Sequence, residues 1–90
     1  MKNVHVRNIE SAKGNTIANQ FIITTEDGQY FQSYNSIIAF IPHIGKVQLD
    51  SNTWNYSRTT SKYRSLFLGE STKITENKIA DGVYELVDLN

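Results

Sequence analysis

The chain has 90 residues, with nine Lys plus Arg against nine Asp plus Glu and no cysteine. This length supports a single domain over residues 1–90 with one small hydrophobic core. The zero net charge excludes a DNA-mimicking polyanion and a bulk polycation. The lack of cysteine excludes disulfides, thiolate nucleophiles and Cys-ligated zinc.

The first predicted element is a strand over Val4–Ile9. Val4 and Val6 alternate there with His5 and Arg7, which is the period-two pattern of a half-buried strand. The Gly-Asn pair that ends the stretch 11–15 predicts a turn after this strand.

A hairpin is predicted next, because Gln20–Glu26 and Gln29–Ser33 flank Asp27-Gly28. A two-residue Asp-Gly loop favours a type I′ turn. Such a loop would place Thr25 opposite Tyr30. This register puts Phe21, Ile23, Tyr30 and Tyr34 on one face, and Ile22, Thr24, Phe31 and Ser33 on the other.

Two further strands follow. Ser36–Ile41 is short, almost entirely apolar and largely β-branched, which predicts a central strand covered on both faces. Pro42 ends it, and Lys46–Asp50 alternates as another strand. Alternation over 54–57 also allows a short strand or an extended segment.

The period changes near residue 59, where a hydroxyl residue among 59–61 is predicted to cap a first helix. Tyr63, Leu66 and Phe67 have the i, i+3, i+4 spacing of its apolar face. Gly69 is placed to end this helix in a left-handed conformation.

A second helix is predicted over Lys73–Ala80, capped by Ser71 or Thr72, and Val83–Val87 is predicted to be a closing strand. Strands first and helices later form an α+β pattern. The predicted fold is therefore an antiparallel β-meander of four to six strands, with two short C-terminal helices packed on one face.

The sequence offers no pattern of residues that predicts catalysis. His5 and His43 lack metal-ligand spacing, and no Gly-rich phosphate loop is present. We therefore predict no catalytic residue, no cofactor and no metal site. No targeting segment is visible, and the apolar run Ile37–Ile41 is far too short to span a bilayer.

The most unusual tract is Trp54–Arg64, which contains three aromatic residues, three basic residues and no acid. One interpretation is a partner-binding surface, since Trp, Tyr and Arg are enriched at interface hot spots. The same tract could hold nucleic-acid phosphates and stack a base. In the structural alternative, Trp54, Tyr63 and Leu66 are core residues, the hydroxyls cap a helix, and the basic residues form a solvated face. The predicted partner-binding residues are Trp54, Tyr56, Arg58, Lys62 and Arg64.

Sheet edges offer a third kind of contact. A meander leaves two edge strands, and Val4–Ile9 or Val83–Val87 could pair across a twofold axis. A homodimer through a sheet edge would relieve the small core.

Several motifs resemble a family of small uncharacterised proteins of tailed bacteriophages. They are Ser33–Ala39, Gly45–Val47 with Leu49-Asp50, Trp54–Arg64, Phe67–Glu70 and Leu86–Asn90. The similarity covers about residues 30 to 90. It implies a phage or prophage origin and action in the host cell cytoplasm, and it implies no activity or catalytic residue.

The leading hypothesis is a small non-enzymatic accessory protein that binds a host or phage protein. It would inhibit or redirect a host macromolecule, such as a CRISPR effector nuclease. One alternative is a nucleic-acid-binding protein that uses the Trp54–Arg64 tract. The other is a small hydrolase or nucleotide-modifying enzyme.

Overall fold

The computed structural model describes residues 3–90, which form one six-stranded sheet and two helices. In chain order the elements are β1 (His5–Glu10), β2 (Thr16–Thr25), β3 (Gly28–Ser33), β4 (Ser36–Pro42), β5 (Gln48–Asp50), α1 (Arg58–Leu68), α2 (Thr72–Ala80) and β6 (Glu85–Val87). The strand order is β1-β2-β3-β4-β5-β6. The prediction of an α+β meander with late helices is confirmed.

The last strand departs from the antiparallel pattern. The first five strands pair antiparallel, whereas β6 runs parallel to β5, with Leu49 opposite Leu86. Both helices lie between these two strands in the chain and form the crossover that a parallel pair requires. The two helices therefore connect β5 to the closing strand β6, which pairs beside it.

The loop of the β2–β3 hairpin lies one residue earlier than predicted, which shifts the strand register by two residues. Its loop is Glu26-Asp27, and Thr25 lies opposite Gly28 rather than Tyr30. Gly28 is the first residue of β3, and glycine is required there because a Cβ would lie 2.2 Å from the carbonyl oxygen of Ile41 in the neighbouring strand. A shift of two residues keeps each strand side chain on its face, so the predicted division between the faces holds for the residues of β2 and β3. Tyr34, predicted to share a face with Phe21, lies beyond β3 with φ 54°.

The core lies between the sheet and the helices. Phe31 of β3 is fully buried, and its ring lies 5.8 Å from that of Phe67 in α1. Ala39 lies opposite Phe31, and Leu49 lies opposite Ala39, so one register row faces the helices. The buried apolar residues are Ile9, Phe31, Ile38, Ala39, Leu49 and Tyr84. In contrast to the prediction for β4, helices cover only one face of the sheet.

Both helices begin at serine caps. Ser57, two residues before the predicted range 59–61, accepts a hydrogen bond from the Thr60 amide, and Ser71 accepts one from the Ile74 amide. Gly69 ends α1 with φ 71°, as predicted. Residues 54–57, whose alternation allowed a short strand or an extended segment, instead belong to a run of turns and bends over 51–57. Within residues 3–90, neither helix is long and apolar enough to cross a membrane.

Candidate functional site

The five predicted partner-binding residues lie in two adjoining elements. Trp54 and Tyr56 belong to the turn segment 51–57, and Arg58, Lys62 and Arg64 lie in α1. The structure divides them by exposure, because some reach solvent and one is sealed in the interior. That division decides which of them can touch a partner.

The carboxylate of Asp50 positions the turn segment. Its Oδ2 accepts hydrogen bonds from the amides of Asn52 (3.2 Å) and Thr53 (3.0 Å) and from the Thr53 hydroxyl (2.9 Å). Its Oδ1 accepts one from the Leu89 amide at 2.9 Å. Burial alone raises the pKa of Asp50, but these hydrogen bonds outweigh it and the pKa falls below its ordinary value. An ionised carboxylate therefore fixes the start of the segment.

The buried side chain of Arg64 binds the turn segment at Trp54 and Asn55. Its side chain is 0% exposed, and its guanidinium donates to the carbonyl oxygen of Trp54 and to Asn55 Oδ1 at 3.2 Å. It also donates to Ser61 Oγ at 3.4 Å and to Thr72 Oγ1 at 2.7 Å. Arg64 has no surface to offer a partner, so its assignment as a contact residue is corrected to a structural one.

The sequence did carry a signal for this burial. Thr60, Tyr63, Arg64 and Phe67 follow the i, i+3, i+4, i+7 spacing of an inward helix face. Thr60 is also buried and its hydroxyl lies 3.0 Å from that of Ser33. Two polar residues thus occupy the inward stripe, and the apolar choice of Leu66 was wrong because it is 58% exposed.

Trp54 is half-buried and packs against the core cluster. The guanidinium carbon of Arg64 lies 5.1 Å from the centroid of its ring, which is a cation–π distance. Much of the Trp54 side chain therefore packs in the interior, and only the remainder is exposed to solvent.

Three of the predicted residues form an open surface. Tyr56 is 52% exposed, and Arg58 and Lys62 are also exposed. Arg58 and Lys62 are four residues apart on α1, so their side chains leave the same side of the helix. The first turn of α1 contains no acidic residue. We refer to Tyr56, Arg58 and Lys62 as the Tyr56–Lys62 surface.

A second polar cluster, which the sequence analysis missed, joins the two helices to the chain before β6. Glu70 accepts hydrogen bonds from Lys78 Nζ at 2.9 Å, from the Tyr84 hydroxyl at 2.6 Å and from the Thr75 hydroxyl at 2.7 Å. Burial raises the pKa of Glu70, but its three partners outweigh it and the pKa lies below its ordinary value. Burial, followed by the bond to Glu70, raises the pKa of Tyr84.

The two histidines lie apart from both clusters. His5 in β1 and His43 in the loop after β4 are exposed. Among residues 3–90, no three or more His, Asp or Glu side chains gather in a way that could hold a metal ion.

Residues 4–82 match the model of a family of unknown function designated DUF8033. The chain belongs to this family. No curated protein and no solved structure matches this DUF8033 member. The match includes β1, α1 and α2 in full, so the turn segment 51–57 and the Tyr56–Lys62 surface lie within the family region.

Proposed function

We propose that this protein acts by binding a host protein through the Tyr56–Lys62 surface, and that this contact inhibits or redirects the partner. The observation that carries the proposal is the exposure of an aromatic residue and two cations between residues 56 and 62, with no acid in the first turn of α1. Tyr and Arg are among the residues that dominate binding energies when they meet a complementary partner.

The surface is held rigid from inside, which favours binding. Asp50 fixes the start of the turn segment, Ser57 caps α1, and Arg64 binds the carbonyl of Trp54. A contact surface that is ordered before binding loses less conformational entropy on association. Arg64 thus supports the proposed function from the interior and makes no contact of its own.

The charge of the surface favours an acidic protein partner over a nucleic acid. Only Arg58 and Lys62 contribute charge to the surface, and the chain has zero net charge. Nucleic-acid binders ordinarily neutralise several phosphates and use a wider basic field for steering. Two cations beside a tyrosine suit a compact acidic patch on a protein. The resemblance to phage proteins supports the proposal of a partner in a bacterial host cytoplasm.

The test uses two charge-reversal variants of the tagged full chain as baits in bacterial lysate. One is Arg58→Glu with Lys62→Glu. The control is Lys46→Glu with Lys73→Glu, which makes the same charge change at exposed sites outside the surface. We expect the wild-type chain and the control to recover the same protein, and the first variant to lose it. A partner recovered equally by both variants would contradict the proposal.

A second experiment distinguishes a nucleic-acid partner from a protein partner. The purified chain is titrated with fluorescent single- and double-stranded DNA and RNA at several salt concentrations. The proposal predicts no retardation. Binding that weakens with a log–log salt slope of about 1.4 to 1.8, as two neutralised phosphates would give, and that the Arg58→Glu/Lys62→Glu variant abolishes, would replace the protein partner by a nucleic acid.

A further inference from the structure

The sheet has a second face that no helix of the structure covers. Val6, Ile23, Tyr30 and Phe40 lie opposite one another across β1 to β4. Residues that are directly opposite project to the same side of a sheet, and successive residues project to opposite sides. Phe31 packs on α1, so the adjacent residue Tyr30 points away from the helices. The other three residues of the row project to the same side as Tyr30. We call this side the open face.

The open face is apolar and partly exposed. Val6 is 61% and Val4 is 42% exposed. The rings of Tyr30 and Phe40 stack at 4.2 Å, and a shallow depression beside them is lined by Val4, Ile23, Thr25, Tyr30 and Ile37. Single exposed apolar residues are ordinary, but a contiguous patch marks an interaction site. This patch lies on the side of the sheet opposite to α1.

Three register rows of the open face carry no charge: the row just described and the rows on either side of it. The next register row, on one side, is Asn8, Phe21, Gln32 and Ile37, and on the other side Thr25 lies opposite Gly28 and Gly28 opposite Pro42. Charged residues border these rows, since Glu26 and Asp27 line a depression together with Phe40, and Glu10 lies at the end of β1. His5 and Arg7 lie opposite Thr24 and Ile22, so they point to the helix side.

The absence of charge from these rows favours a second copy of this chain as the partner that covers the open face. In a twofold interface each patch meets its own copy, so a charged residue near the axis would face a like charge. The three uncharged rows of the open face avoid that penalty entirely. A charged partner would find no complementary group within these three rows, whereas an identical apolar face fits them.

The dimensions of the molecule are sufficient for such a contact. Its extents are 34 × 31 × 20 Å, which describes a slab of one sheet layer and one helix layer. A stable interface buries about 800 Å² per partner, and a contact over most of the 34 by 31 Å side is of that order. We infer that two copies of this chain pack through their open faces, as a symmetric β-sandwich with the helices outside.

This arrangement has a consequence for the proposed function, although it does not depend on it. Sheets that pack face to face lie about 10 Å apart, with strands inclined by about 30°. Both copies of α1 then lie on the outer surfaces of the dimer. The dimer presents two Tyr56–Lys62 surfaces, and so it can engage a repeated or symmetric partner with higher avidity.

The test measures the mass of the full chain by sedimentation over a range of concentrations that reaches about 200 µM, where a micromolar dimer is almost complete. The main variant is Val6→Glu. The matched control is Leu66→Glu, because Leu66 is 58% exposed but lies on α1. We expect a dimer for wild type and control, and at least a hundredfold weaker association for Val6→Glu. A monomeric wild type, or a Val6→Glu dimer of unchanged affinity, would overturn the inference.

A second variant separates face packing from edge pairing, since Val6 lies on the edge strand. Ile23→Thr lies inside the sheet on the open face and keeps a β-branched side chain. Face packing predicts roughly tenfold weaker association for Ile23→Thr, because it buries a hydroxyl in an apolar contact. Edge pairing of β1 predicts no change there. A dimer that Val6→Glu disrupts and Ile23→Thr leaves intact would overturn face packing, provided that circular dichroism shows both variants folded.

Discussion

Arg64 and Glu70 are both buried charges near the α1–α2 junction, and the protein satisfies them in different ways. Glu70 binds the ammonium of Lys78 at 2.9 Å, in an ion pair whose lysine side chain is 39% exposed. Arg64 has no carboxylate within ion-pair distance among the described residues and donates to one carbonyl, one amide oxygen and two hydroxyls. The carboxylate meets its counter-charge at the surface, whereas the guanidinium is fully enclosed by neutral acceptors.

The difference shows what each charge contributes. A guanidinium has five donors in a fixed fork, so Arg64 can join the turn segment, α1 and the first residue of α2 at once. Burial lowers the pKa of Arg64, with Glu70 and Glu76 opposing it, yet arginine stays charged. Its Nε is buried with no partner among the described residues. The chain therefore tolerates a costly buried cation because several segments depend on it.

The largest effect should follow from removing this cation. Arg64→Ala leaves the Trp54 carbonyl and the Thr72 hydroxyl without their donor and opens a cavity, so we expect a loss of about 3 to 5 kcal/mol in the free energy of unfolding. Arg64→Lys keeps the charge but not the fork and should lose about half as much. Urea denaturation measures both. A loss below about 1 kcal/mol for Arg64→Ala would show that the enclosed cation supports little.

An intermediate effect is expected at Glu70. Glu70→Gln keeps the shape of the side chain but removes its charge, and it weakens the bonds from Lys78 and Tyr84. We expect a loss of about 1 to 2 kcal/mol at neutral pH by the same denaturation assay. Glu76→Gln is the matched control because Glu76 is exposed on α2, and it should change stability by no more than about 0.5 kcal/mol. Equal losses in both variants would contradict a special role for the Glu70 cluster.

The same cluster predicts an acid-dependent loss of stability. The pKa of Glu70 is lower in the folded chain than its ordinary value of 4.5, so the unfolded state binds the proton first as the pH falls. The contribution of Glu70 is complete above pH 4.5 and is lost as the pH falls through the folded pKa. We expect Glu70→Gln to show a shallower fall in melting temperature below pH 4.5. Parallel wild-type and variant curves there would contradict this assignment.

Substitution of the exposed cations should have the smallest effect on stability. Arg58→Glu with Lys62→Glu should change the free energy of unfolding by only about 0.5 kcal/mol, because both side chains lie in solvent. The same variant is expected to lose the bound partner. This contrast with Arg64→Ala sharpens the comparison, since one cation is enclosed and supports the fold, whereas Arg58 and Lys62 are exposed, with the Lys62 ammonium 5.3 Å from the centroid of the Tyr63 ring. A large loss of stability would mean that the Tyr56–Lys62 surface is itself structural.

Local patterns predicted much of the fold. Period-two alternation and the apolar run of β4 indicated the strands, and Gly69 ended α1 at the expected residue, because these features depend on neighbours in sequence. The hairpin register failed since a Gly after Asp looks like a turn residue, and only the approach of Ile41 shows that Gly28 is a strand residue. The Glu70 cluster was missed because its members, from residues 70 to 84, converge only when α2 folds back.

The sequence by itself determined the α+β order of elements, the C-terminal ends of the helices and the presence of an aromatic-basic tract, because each follows from local spacing and composition. Only the tertiary structure decided which members of that tract face outward. Arg58 and Arg64 are the same residue type on the same helix, yet one is solvated and one enclosed. Exposure depends on which side of α1 meets the sheet, and that is settled by packing between distant segments, as in the contact of Phe67 with Phe31.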